Sequence, residues 1–182
     1  MRFEELFTQL VLSSNISNNL LTPFKEFIFV PDAWHGPEAF APTTTLLTAA
    51  GYTVHGVNLP SVGPVKHLQS FDPDVVEIRN AINSVLSKGK DVVMLYHSYG
   101  GVPGSEALGE YIKDLESGKG KEGWGMVRRL VYCASFVLPE GGSLMAALQG
   151  KPLPWFILDV VCFPLPHLYP KIPTFPLTQQ IY

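Results

Sequence analysis

A chain of 182 residues is long enough for one domain with a substantial core, and a content of 46% hydrophobic and 12% aromatic residues is that of a globular protein. The net charge of −3 excludes the strongly basic footprint of a nucleic-acid-binding surface. Only 16% of residues are charged, below the usual ~25%, which points to a buried sheet or to apolar surface left uncovered.

The basic residues Lys113, Lys119, Lys121, Arg128 and Arg129 are interleaved with Glu116, Glu122 and glycines, the pattern of a solvated loop. Cys133 and Cys162 are too few and too far apart for a disulfide framework, and no CxxC or Cys/His metal spacing occurs, so neither a metal nor a cofactor is expected. Glu4 and Glu5 stand where a secretory signal carries positive charge, which argues for a cytoplasmic protein. No stretch reaches the ~20 apolar residues of a membrane helix. The nearest, 155–166, is broken by Asp159 and Pro164.

Residues 1–24 are polar and weakly periodic, with a short helix expected over 3–12. The run 27–31 reads as a buried strand with a proline stop, 38–50 as a helix ended by Gly51, and 52–57 as a second strand. The segment 59–64 is a loop. Asp72-Pro73 opens a helix as N-cap and first-turn residue, with Val75, Ile78, Ile82, Val85 and Leu86 at helical spacing. A third strand over 91–96 leads into a helix over 102–115. A loop over 118–125 precedes a fourth strand over 126–133, and 143–148 has room for one or two helical turns. Short apolar strands alternating with helices imply an α/β fold with a mostly parallel sheet. The core is expected over 25–150. The tail 151–182 is irregular, because its prolines exclude helix and inner strand.

The most informative residue is Ser98, in the run DVVMLYHSYGG. An apolar strand running into a serine and then into glycines is the pattern of a sharp strand-to-helix elbow that lifts one hydroxyl above a sheet edge. Of the two small positions of G-x-S-x-G, Gly100 fits and Tyr96 does not. Without a small residue there, Tyr96 must point away from the helix or the turn must open. A second loop, Pro31 to Gly36, follows the first strand at the same edge. Two such loops at the carboxyl ends of parallel strands make a site. The glycines at 100, 101 and 104 do not form G-x-G-x-x-G, which argues against a nucleotide-binding domain.

VPDAWHGPEAF, NLPSVGP, YHSYGGVPGSEAL and VYCASFVLPEGGSL together resemble the α/β-hydrolase superfamily, in its branch of small esterases and hydroxynitrile lyases. The resemblance covers roughly residues 27–158. It implies Ser98 as nucleophile, the backbone N–H groups of Ala33 and Tyr99 as oxyanion donors, and His35, Gly36 and Gly100 as loop-shaping residues. It implies a small ester-like substrate. Asp32 stands where relatives usually have glycine, and a carboxylate there would oppose a developing oxyanion. The family's acid and histidine come later than Ser98, and in this chain the one later histidine, His167, lies in the proline-rich tail. His97 is expected to point away from the pocket, His35 to shape its loop, and His55 and His67 to be surface or packing residues. The expectation is therefore a partial α/β-hydrolase fold that lacks the C-terminal strands and is inactive or nearly so. The alternative is a non-catalytic fragment or ligand-binding remnant.

Overall fold

The computed structural model describes residues 25–63, 68–117 and 121–151. The segment 1–24, the tail from 152, His67, Cys162 and His167 lie outside the described residues. The elements are β1 (Glu26–Val30), a 3-10 turn (Pro37–Phe40), α1 (Ala41–Ala49), β2 (Thr53–Gly56), α2 (Asp72–Leu86) and β3 (Val92–His97), then a 3-10 turn (Ser98–Gly100), α3 (Gly101–Ser117), β4 (Val127–Cys133) and α4 (Leu144–Ala147).

The four strands form one parallel sheet in the order β2-β1-β3-β4. All of β1 and all of β3 but its last residue are buried, as expected for central strands covered on both faces. Side chains alternate between the faces. Ile28, Val30, Val92, Met94 and Tyr96 pack with Val75, Ile78, Ile82, Val85 and Leu86 of α2 and with Ala107 and Leu108 of α3. Phe27, Phe29, Val93 and Leu95 face the other way, against Leu47 of α1. The α2 stripe is the one its sequence spacing predicts. Burying each such side chain is worth about 1.5–3 kcal/mol. By contrast, β4 exposes Arg128, Arg129 and Leu130 at the outer side of the sheet. Among the described residues no helix is long and apolar enough to cross a membrane.

Two helix starts differ from expectation. The segment from Pro37 makes a 3-10 turn before α1, because Pro37 and Pro42 each supply a preset first-turn residue to a separate helix. At α2 the N-cap position is Phe71, so Asp72 is already helical. Asp72 and Asp74 complement the helix dipole from the first turn.

Tyr96 corrects the expectation drawn from its size. It neither turns away from the helix nor opens the turn: it is fully buried against α3, where Gly104 makes room. A Cβ at Gly104 would collide with the Tyr96 ring at Cε1. The bulk missing at one position is supplied at the other, eight residues away across the turn. Burial pushes the Tyr96 phenol far above its ordinary range, with Tyr132 beside it adding to the shift.

At the amino end of the sheet, Glu26 is buried and accepts from Lys90 Nζ at 2.6 Å and pairs with His55 Nε2 at 2.7 Å. His55 is thus a hydrogen-bond partner of a buried carboxyl group rather than a plain packing residue. Glu26 is in register with Thr53, and His55, two residues on, shares that face of the sheet. Burial opposes ionisation of Glu26, but the hydrogen bonds from Lys90 and His55 outweigh it and hold its carboxyl below the ordinary 4.5.

Two outcomes follow. Gly104→Ala should lower the unfolding free energy measured in urea by about 1–3 kcal/mol, since the ring has no space to yield. In a Tyr96→Val background the same change should be neutral or stabilising by up to about 1 kcal/mol, the helix-propensity gain. Because the folded pKa of Glu26 is depressed, its contribution is present above pH 4.5 and lost as pH falls through the native value. Glu26→Gln should therefore flatten the fall of melting temperature between about pH 5 and pH 3.

Candidate functional site

The site lies at the carboxyl ends of β1 and β3, where parallel α/β sheets place their ligands. The register pairs Val30 with Tyr96, so the loop 31–36 and the turn at Ser98 leave the sheet side by side.

His97 is extended, with φ −115° and ψ 132°, and Ser98 then enters the left-handed region at φ 49°. That conformation costs a non-glycine residue about 1–3 kcal/mol and persists only where its surroundings impose it. Here they do so on three sides. The Ser98 carbonyl accepts from the Phe136 N–H at 3.0 Å and from Ser135 Oγ at 2.8 Å, in the segment after β4. A Cβ at Gly100 would collide with the Pro31 carbonyl and lie 2.8 Å from that of Val30. A Cβ at Gly101 would collide with the Phe136 carbonyl and Ser135 Oγ. The two glycines let the elbow touch its neighbours on both sides.

The peptide joining Ser98 to Tyr99 is trans. In a trans peptide the N–H points opposite to the C=O. With the Ser98 carbonyl held toward residues 135 and 136, the Tyr99 N–H faces away from them. On the remaining side, the Tyr99 phenol donates to Asp74 Oδ2 at 2.8 Å. Burial, followed by that hydrogen bond, raises the Tyr99 phenol well above its usual range.

In the neighbouring loop, Ala33 and His35 are half-buried and Trp34 is exposed. Asp32 organises this loop. Its Oδ1 accepts from the N–H groups of Trp34 at 2.8 Å and His35 at 3.0 Å, and His35 Nδ1 lies 2.8 Å and 2.9 Å from its two carboxylate oxygens. His97 Nδ1 is 3.5 Å from Oδ2. The charge expected to oppose an oxyanion is instead surrounded by donors. Burial favours the neutral acid, but the contacts with His97, the Trp34 N–H and His35 prevail and hold the carboxyl well below the ordinary carboxylate range. The Gly36 N–H donates to Glu38 Oε1 at 3.2 Å.

His97 meets Asp32 and lies edge-on to Phe40, with ring centres 6.2 Å apart. His35 is on Asp32 and His55 on Glu26. Among the described residues, the Ser98 hydroxyl has no imidazole partner. Nor does any group of three His, Cys, Asp or Glu side chains there converge as a metal site would. Burial pushes the Cys133 thiol up, away from the reactive thiolate form.

Sequence reasoning missed Asp74 and Ser135. Asp74 reads as an ordinary first-turn acid, and Ser135 as a loop residue after a strand. Only the tertiary arrangement brings both to the elbow.

The geometry is matched by kinship. The alpha/beta hydrolase family model matches residues 27–179. The chain belongs to the alpha/beta hydrolase family. The match takes in most of the proline-rich segment that the sequence reading set apart from the core. The chain is 36% identical to alpha/beta hydrolase nvfD of Aspergillus novofumigatus over 68% of this chain and 48% of that one. It is 32% identical to a carbendazim hydrolyzing esterase of a Nocardioides species over 70% of this chain and 48% of that one. It thus spans about half the length of these relatives. Polyneuridine aldehyde esterase shares the fold with a TM-score of 0.54 at 20% identity, over 69% of this chain and 46% of that one. Tomato methylketone synthase I has the same TM-score at 15% identity, over 69% of this chain and 45% of that one.

Gly100→Ala should destabilise the fold toward the upper end of about 1–3 kcal/mol, because the obstacles are backbone carbonyls that cannot rotate away. Gly51→Ala is the control. Gly51 has positive φ but nothing within 4 Å of its Cβ position, so only the smaller backbone strain should register in thermal unfolding.

Proposed function

We propose that this chain carries the nucleophile half of a serine-hydrolase site for small esters, with Ser98 as nucleophile. The observation that carries the reading is the left-handed Ser98 at the end of a central parallel strand, packed through Gly100 against the loop after β1. The hydroxyl oxygen adds to the ester carbonyl and gives up its proton to a base. The carbonyl oxygen becomes an oxyanion between the N–H groups of Ala33 and Tyr99. Collapse expels the alkoxide, which takes a proton and leaves as the alcohol. Water then attacks acyl-Ser98 by the same route and releases the acid. The orientation of the Tyr99 N–H, opposite to the anchored Ser98 carbonyl, supports its role as a donor. His35, Gly36 and Gly100 shape the hole, and Asp32 holds its loop. The ester-hydrolase reading also draws on relatives named as hydrolase and esterase.

The 182 residues alone are proposed to be nearly silent. The described histidines are engaged with carboxylates, and an unactivated serine attacks slowly. Prolonged exposure of the folded chain to a fluorophosphonate should give a slow adduct at Ser98 by mass spectrometry, absent in Ser98→Ala. A folded protein with no adduct after hours would overturn Ser98 as nucleophile. Turnover of p-nitrophenyl acetate should exceed the buffer rate by no more than about 10³–10⁴-fold. Ser98→Ala should change that residual rate by less than about threefold. A loss far beyond that would overturn the silence and reveal a working base.

A further inference from the structure

The carboxyl group of Asp74 is fully buried and has no role in capping its own helix. Its Oδ1 accepts from the Ser61 N–H at 2.9 Å, in the loop after β2, and its Oδ2 accepts from the Tyr99 phenol at 2.8 Å. Burying a carboxyl group is unfavourable unless donors satisfy it, and both of these donors come from loops at the carboxyl edge of the sheet rather than from α2. Tyr99 spans the gap between them. Its backbone is the second residue of the elbow, its ring packs against the core beneath α2, and its hydroxyl ends on the first turn of α2.

We infer that Asp74 is a positioning residue for the Tyr99 amide, acting through the Tyr99 side chain. The peptide carrying that N–H is fixed behind by Ser135 and Phe136, which hold its carbonyl. Those contacts, with the Gly101 N–H that also donates to the Ser98 carbonyl, set the direction of the N–H from behind. The phenol–carboxyl bond supplies a further anchor, on another element, through the side chain of the residue that carries the N–H. An N–H that does not have to reorganise when charge develops is the kind of donor that stabilises an oxyanion most. Because the same carboxyl group also holds Ser61, the loop after β2 and the elbow are tied to one point. This inference names a support for the donor proposed above and rests on that reading for its catalytic meaning. The anchoring itself is independent of it.

The test is backbone 15N relaxation on the folded chain labelled with 15N, in the wild type, Tyr99→Phe and Asp74→Ala. In the wild type the Tyr99 amide should show an order parameter of about 0.85, and in both variants it should fall toward about 0.6 or lower. The β3 amides at Val93 and Leu95 should stay in the rigid range throughout. The Ser61 amide should lose order in Asp74→Ala and keep it in Tyr99→Phe, which spares the carboxyl group. A Tyr99 amide that stays rigid in Tyr99→Phe would overturn the inference, as would an equal loss of order along β3. If Asp74→Ala does not fold, Tyr99→Phe decides alone, since it deletes only a hydroxyl. Failed labelling at Ser98 with a loosened Tyr99 amide would overturn the catalytic reading and leave the anchor standing. The reverse pair would do the opposite.

Discussion

Two backbones meet where Gly100 faces the carbonyls of Val30 and Pro31. That contact sets the spacing of the whole carboxyl edge, because it is the point at which the turn after β3 can come no nearer to the loop after β1. A left-handed Ser98 is costly taken alone. Pressed between β1 on one side and the segment after β4 on the other, it is the conformation that lets α3 begin without colliding with either. The sheet order makes this possible, since β3 lies between the two strands whose loops hold the turn.

Polar groups complete what the glycines allow. Asp32 gathers amide and imidazole donors and sets the course of its own loop. Asp74 gathers a phenol and an amide from two other loops. In each case a partly or wholly buried carboxyl group is stabilised by donors from the segments it must hold in place. At the opposite end of the sheet Glu26 does the same with Lys90 and His55, joining β1 to β2 and to the segment that leads into β3. Acids at both ends of a sheet with an apolar middle keep the register where hydrophobic side chains alone would tolerate a slip.

Much of this was legible in the sequence, for identifiable reasons. The stripe Val75, Ile78, Ile82, Val85, Leu86 is local, and helical periodicity alone determines which side is buried. The elbow was legible because one short stretch contains the strand, the serine and the glycines. Whatever depends on pairing distant segments was not. Tyr96 looked too large because its partner, Gly104, lies across a turn whose geometry the spacing does not give. Asp32 looked like an unfavourable charge because its partners are amides, which no sequence pattern marks, and two imidazoles whose direction the sequence does not give. Asp74 and His55 needed the strand register before their partners had names.

The position of β1 bears on how the chain is made. Among the described strands it comes first in the sequence, yet it lies inside the sheet, and its inner neighbour is not complete until residue 97. A ribosome adding about 5–20 residues per second leaves Phe27, Ile28, Phe29 and Val30 without their central partner for several seconds. During that interval a fully buried apolar strand is a nascent segment in need of shelter, from a chaperone or from the helices made alongside it.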